Sequence, residues 1–222
     1  DTMSGSKSKE SNRPKVRYIE GKSMNSIWVN QSLGVDPATG YELFQAVNGD
    51  IVTTWSTDNY VIGGCTDSDL EGTFGTNLVW KGFQLNAIFR YNYGGQVYNQ
   101  TLVDKVQDAD LRKNVDRRVF EDRWQKPGDK VMFTRLIGGA TANATSVTKP
   151  TSRFVEDNNW LELSTLNVSY EFNMNWMKKV GLKRLKALFY MNDVFRVSTV
   201  KQERGIAYPF ARNFSIGLQA RF

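Results

Sequence analysis

Histidine is absent from this 222-residue chain, and that absence closes off more chemistry than any other feature of its composition. Without imidazole there is no Ser-His-Asp or Cys-His catalysis and no zinc or iron site built on histidine. The one cysteine, Cys65, excludes a disulfide within the chain and leaves no cysteine-rich structural zinc site. Paired carboxylates could still hydrolyse glycosides, but Asp and Glu lie scattered through polar segments and no spacing nominates a pair. No catalytic residue, cofactor site or metal site is therefore assigned, and the chain is not read as an enzyme. Asp67, Asp69 and Glu71 have the oxygen chemistry of a calcium loop, but a solvated acidic loop is the simpler reading.

Long apolar runs are also missing. Nothing approaches the roughly 20 residues that a membrane-spanning helix needs, hydrophobic residues make up 40%, and mean hydropathy is -0.47. Those values exclude a helical membrane protein. They do not exclude a β-barrel, whose strands of about 9–11 residues alternate lipid-facing with lumen-facing side chains and so keep mean hydropathy low. The net charge of +6 is not gathered into a basic patch with interleaved aromatics, which argues against nucleic acid. Its densest group, Lys178, Lys179, Lys183, Arg184 and Lys186, falls around an expected turn near a membrane surface.

What is present is alternation. The first fifteen residues are polar and read as a surface segment. Strand-like residues run from Val16 to about Leu33, and turns are expected at Asp36-Pro37-Ala38-Thr39-Gly40 and Asn48-Gly49-Asp50. From Phe74 two alternating strands meet at Lys81-Gly82. On the second arm Phe83, Leu85, Ala87, Phe89 and Tyr91 share one face, against Gln84, Asn86, Arg90 and Asn92. Residues 101–124 have helical spacing through Leu111, Val115 and Val119, ended by Pro127-Gly128. The connection from about Gly94 to Asn158 is too long for a compact hairpin loop.

Three more strands follow. Leu166, Val168, Tyr170 and Phe172 alternate with polar residues, but Leu161 and Leu163 are out of phase with them, which calls for a bulge near Thr165 or a section above the bilayer. Leu185, Ala187, Phe189 and Met191 then share a face. In the last strand Phe214, Ile216, Leu218, Ala220 and Phe222 do the same. A final alternating strand ending in an aromatic resembles the signal by which outer-membrane proteins are recognised for barrel insertion, with Phe214, Ile216, Leu218 and Phe222 carrying it. A soluble, secreted β-sandwich that binds carbohydrate would also alternate, and an adhesion or assembly barrel without transport is a third reading.

Five strings in order resemble the C-terminal third of SusC/RagA-family TonB-dependent transporters. They are SLGVDPATGYELF at 32–44, GTFGTNLVWKGFQLNAIFRYNYGGQVYN at 72–99, RRVFEDRWQKPGD at 117–129, TSRFVEDNNWLELSTLNVSYEF at 151–172 and the closing FARNFSIGLQARF. The resemblance implies an all-β chain: about five C-terminal strands of an antiparallel transmembrane barrel of about 22 strands, with long extracellular loops containing a short helical segment. Its expected parts are an extracellular β-rich loop region at 1–72, a transmembrane hairpin at 73–93, a long extracellular loop at 94–158 and the last three barrel strands at 159–222.

With Phe222 in the periplasm, Lys81-Gly82 and residues 173–182 become periplasmic, while 1–72, 94–158 and about 197–208 become extracellular. The implied partners are the remainder of the barrel and its plug, TonB acting through that missing part, a SusD-like surface lipoprotein, membrane lipid, and an oligosaccharide or alternatively a peptide as solute. No cofactor is implied, and the implied location is the outer membrane of a Gram-negative cell. Trp55, Tyr60, Trp124 and Trp160, in the implied extracellular loops, are candidates for stacking on sugar rings, with packing inside the loops as the competing role.

Overall fold

The computed structural model describes residues 12–109, 114–136, 148–173, 181–201 and 212–222. The chain divides into two units, one made of residues 1–67 and 96–157 and the other of residues 68–95 and 158–222.

The second unit is one antiparallel sheet of five strands. In chain order with the rest of the chain these are β5 (Leu70–Trp80), β6 (Phe83–Tyr93), β9 (Trp160–Phe172), β10 (Arg184–Ser198) and β11 (Phe214–Arg221), and their spatial order is β11-β10-β9-β6-β5. The hairpin closes as expected at Lys81-Gly82, both of which have positive φ (46° and 85°). That is the two-residue turn whose twist matches the flanking strands. A Cβ on Gly82 would stand 2.7 Å from the Glu171 carbonyl oxygen, so glycine is needed there for space as well as for conformation.

The expected bulge is present at Ser164. Thr165 pairs with Ile88 and Leu163 with Phe89, leaving Ser164 without a partner on β6. Its hydroxyl donates to the Ile88 carbonyl at 3.2 Å. On the other side β10 is irregular over Asp193 and Val194, and Asp193 has a φ of 48°. The extra residue brings Leu161 and Leu163 back to the face of Leu166 and Val168.

Direct cross-strand partners share a face, so the register sorts every side chain of the sheet. One face carries rows such as Trp80, Phe83, Tyr170, Ala187 and Leu218, then Leu78, Leu85, Val168, Phe189 and Ile216. The other carries Asn77, Asn86, Asn167, Tyr190 and Ser215 in a single row, with Val79, Ile88 and Leu188 as its apolar exceptions. Aromatic pairs knit the first face: Phe74 stacks on Phe89 at 5.0 Å and Tyr170 meets Phe172 edge-on at 4.9 Å. Nothing in the described chain covers this face at β11, where Ile216 is 73% and Leu218 74% exposed.

The first unit holds a four-stranded sheet of order β3-β2-β1-β4, made of β1 (Ser26–Val35), β2 (Glu42–Gln45), β3 (Ile51–Val52) and β4 (Tyr60–Cys65), and a pair β7 (Gln96–Tyr98) with β8 (Val155–Asp157). Both expected turns form. Asp36 accepts from the Ala38 amide at 3.0 Å and the Thr39 hydroxyl at 2.6 Å, and the Asn48-Gly49-Asp50 turn joins β2 to β3.

Two expectations are corrected. The strand expected from Val16 begins only at Ser26, because Gly21 at positive φ and the turn around Ser23 break the run before it. The helix expected over 101–124 is in pieces: α1 (Gln100–Leu102) runs into a wider turn at Val103–Gln107, and α2 (Arg118–Glu121) stands apart. Leu111 lies outside the described residues. The apolar spacing reflects a shared core instead, since Leu102, Val103, Val106, Val119, Phe133 and Phe154 pack into one cluster with Val115 against it.

Candidate functional site

The loop aromatics are tied to the chain around them. The Trp55 indole N–H donates to the Pro150 carbonyl at 3.0 Å, its ring meets Tyr60 edge-on at 5.5 Å, and the Lys149 ammonium lies 5.7 Å from its centroid. Tyr60 is buried, and that burial pushes its phenol above the ordinary value, opposed in part by Arg17. Trp124 donates to the Pro37 carbonyl at 2.8 Å, and the same oxygen accepts from the Gly128 amide at 2.8 Å. Its indole covers Gly40, where a Cβ would come within 2.5 Å of the ring. Two of the strings singled out in the sequence, DPATG and RWQKPGD, therefore fold against each other.

Burial in this unit falls on charged groups as well. Arg123 is 4% exposed and donates to the backbone carbonyls of Val119 (2.8 Å), Thr134 (3.0 Å) and Gln107 (3.0 Å). The bonds to Val119 and Gln107 satisfy orphan carbonyls of the helical turns. Burial holds its guanidinium below the usual range. Arg153 and Glu42 form a buried two-point pair at 3.1 and 2.8 Å, and the Ser32 hydroxyl adds a donor to the same carboxylate at 2.6 Å. Asp108 is raised chiefly by burial, offset by donors from Thr148. Asp67, at the edge of this unit, is held down by donors from Ser23, Asn25 and Cys65. Asp69 and Glu71 fall in the other unit, and among the described residues no group of His, Cys, Asp and Glu is arranged to hold a metal.

Trp160 differs from the other three aromatics because it belongs to the sheet. It opens β9 on the polar face, level with Asn92 and Ser198. The next row on that face is Thr73, Arg90, Glu162 and Arg196. Arg196 lies 4.4 Å and Arg90 6.0 Å from the Trp160 ring centroid, within the range at which a guanidinium is attracted to an indole face. Glu162 stands between the two arginines in the row, 3.7 Å from Arg196. The sequence reading selected Trp160 but missed both arginines. The usable signal was their position two residues along alternating strands, once the Ser164 bulge had fixed the phase.

Phe214, Ile216 and Leu218 all lie on the apolar face of β11, with cross-strand partners Met191, Phe189 and Ala187. Phe222 follows directly after that strand and is 75% exposed. Of the basic group near the turn, Lys178 and Lys179 lie outside the described residues. Arg184 pairs with Glu171 at 2.8 Å, and Lys186 donates to Gln84 at 2.9 Å.

Such a sheet, largely apolar over one face and largely polar over the other, has the pattern of the wall of a transmembrane β-barrel. Comparison with known proteins narrows the class. The chain is 28% identical over 156 residues to TonB-dependent receptor P39 of Formosa agariphila, covering 69% of this chain and 14% of that protein. It is 25% identical over 214 residues to TonB-dependent receptor P3 of the same organism, covering 86% of this chain and 20% of that protein. It thus spans a seventh to a fifth of the length of these curated relatives. No family model matches.

Among solved structures, the RagAB peptide importer in its open-open state superposes with a TM-score of 0.66 at 17% identity, over 89% of this chain and 22% of that one. The closed-closed state gives 0.60 at 16% identity, over 79% and 20%. Sequence likeness to TonB-dependent receptors and fold likeness to RagAB agree with the resemblance to the SusC/RagA family. By their names these relatives are receptors and an importer.

Proposed function

We propose that this chain is barrel wall and loop structure of a TonB-dependent importer in the outer membrane of a Gram-negative cell. The observation that carries this reading is the two-faced register of the sheet. An apolar face left open to water over five strands would be a liability in a soluble protein, whereas lipid accepts it. The outer edges of β5 and β11 have no partner strand among the described residues. Unpaired backbone is too costly in a bilayer, so the sheet closes through the remainder of a barrel with its plug.

In this reading the Lys81-Gly82 end faces the periplasm, and the connections at the Trp160 end are extracellular, where a SusD-like lipoprotein forms the lid. TonB acts through the plug. The solute is an oligosaccharide, with the partly exposed Trp55, Trp124 and Trp160 as the aromatic residues offered to it and the buried Tyr60 supporting Trp55 edge-on. A peptide is the second reading, favoured by the fold likeness to a peptide importer. Two measurements test the proposal: the size and membrane fraction of the species yielding peptides from residues 74–222, and uptake of labelled oligosaccharides and peptides by cells with and without the gene. An outer-membrane band much larger than this chain, with uptake lost on deletion or on TonB inactivation, supports it. A soluble species of this chain's own mass would replace it with a secreted binding module.

A further inference from the structure

The geometry points to an anion-binding site on the polar face of the sheet, at Arg90, Arg196 and Trp160, that takes the carboxylate of the transported solute. This rests on the importer reading, in which that face lines the lumen. Arg196 lies over the indole, 4.4 Å from its centroid, and Glu162 at 3.7 Å is too far from it for a hydrogen bond. Its planar donors are therefore placed by the ring and by a distant carboxylate but not consumed. A guanidinium in that condition suits the two-point recognition of a carboxylate.

Arg90 completes the arrangement from the other side of Glu162. It is exposed, and its ring contact with Trp160 at 6.0 Å is loose. Two arginines two strands apart stand about 10 Å from each other, with one carboxylate between them. Glu71 is the other acid on this part of the face, and it lies at the β5 edge, level with Asn92. The row itself thus holds two guanidinium groups and one carboxylate, an excess of one positive charge, with Glu71 outside it. In the row of Trp160, Asn92 Oδ1 and Ser198 Oγ are buried and have no hydrogen-bond partner among the described residues, polar capacity that native proteins seldom leave unused. A solute carboxylate meets the two exposed guanidinium groups. An acidic peptide and a uronic-acid oligosaccharide both qualify.

The test uses the full-length receptor purified in detergent, with four probes in two matched pairs: a Glu-Gly hexapeptide against its Gln-Gly counterpart, both N-acetylated and C-terminally amidated, and trigalacturonate against its methyl ester. Binding is measured by calorimetry at low and at physiological salt, for wild type, R90Q/R196Q and K186Q. Lys186 lies on the same face at the other end of the sheet, and K186Q removes one charge from there. Heat-modifiable migration in gels confirms that each variant forms its barrel. The expected result is that one acidic probe binds wild type at least ten-fold tighter than its neutral partner, that R90Q/R196Q abolishes the preference, and that K186Q keeps it. The responding pair identifies the source of the carboxylate. The site is refuted if wild type shows no preference for either acidic probe, if R90Q/R196Q retains it, or if K186Q weakens it equally. A receptor that lacks the preference but still supports TonB-dependent uptake loses the site and keeps the importer reading. A gene deletion that leaves uptake of every solute intact removes the importer reading itself.

Discussion

Leu163 and Leu166 stand on the same face of the sheet although they are an odd number of residues apart, because Ser164 between them is bulged: Leu163 pairs with Phe89 and Leu166 with Ala87. A strand without that bulge would turn either the segment Trp160 to Leu163 or the segment Leu166 to Phe172 to the wrong face. Deleting Ser164 is therefore expected to prevent stable barrel assembly in the full-length protein, read as loss of the heat-modifiable folded band. Ser164→Ala, which keeps the extra residue and removes the hydroxyl bond to Ile88, should assemble. Normal assembly of the deletion would show that the bulge does not set the phase.

Neighbouring residues on β9 should respond oppositely to charge. Val168 sits between Leu85 and Phe189 on the apolar face, and Asn167 between Asn86 and Tyr190 on the polar face. Arginine on the lipid side of a barrel near mid-membrane costs about 2–4 kcal/mol. Denaturant titration of the full-length protein in lipid vesicles should show a loss of that size for Val168→Arg and a much smaller one for Asn167→Arg. Equal losses would mean that the two faces do not meet different solvents.

The Arg153 and Glu42 pair offers a third measurement, in the loop unit. Both side chains are less than 10% exposed, so removing the carboxylate strands a buried guanidinium. Breaking a buried pair from one side typically costs about 3–5 kcal/mol. Glu42→Ala should sharply raise amide exchange and protease cleavage around residues 30–44 and 150–155. Replacing both partners with apolar residues of similar size should recover much of the protection. Unchanged exchange in Glu42→Ala would place the pair at the periphery of this unit's stability.

Asp108 predicts a pH dependence in the same unit. Burial raises its carboxyl above the ordinary value, so the folded state holds the proton more tightly than the unfolded state does. Its favourable contribution is present below the unfolded value of about 3.9 and is lost as pH rises through the folded value. After correction for intrinsic rates, exchange in residues 99–109 should speed up between pH 4 and pH 7 relative to Asp108→Asn, which has no such titration. Asp67 and Asp129, both held low by hydrogen bonds, act in the opposite direction and are common to both proteins. Parallel profiles for the two proteins would contradict the assignment.

The sheet was legible in the sequence because period-two alternation is a local signal, and register then follows from turns such as Lys81-Gly82. Even the bulge showed as a phase error at Leu161 and Leu163. The loop unit was much less legible. Val115 and Val119 reach one core with Leu102, Phe133 and Phe154 through contacts distant in sequence, so the spacing of Leu111, Val115 and Val119 suggested one helix where the described residues form only short turns. The arginines beside Trp160 were hidden for a related reason: Arg90 and Arg196 belong to different strands, and only cross-strand pairing on both sides of Glu162 assembles them.

The central claim is that the two faces of this sheet meet lipid and lumen. Its most direct test is a cysteine scan of the full-length protein in outer membranes, on a cysteine-free background that includes Cys65→Ser. Leu78, Val168, Phe189 and Ile216 would be compared with Asn77, Asn167, Tyr190 and Ser215 for labelling by a membrane-impermeant maleimide and, in protein given a fluorescent maleimide before refolding into vesicles, for quenching by a lipid-chain spin label. The account predicts that the first four are quenched from the lipid and poorly labelled, and that the second four take the aqueous label and escape quenching. Aqueous labelling of both sets, with no quenching of either, would contradict it.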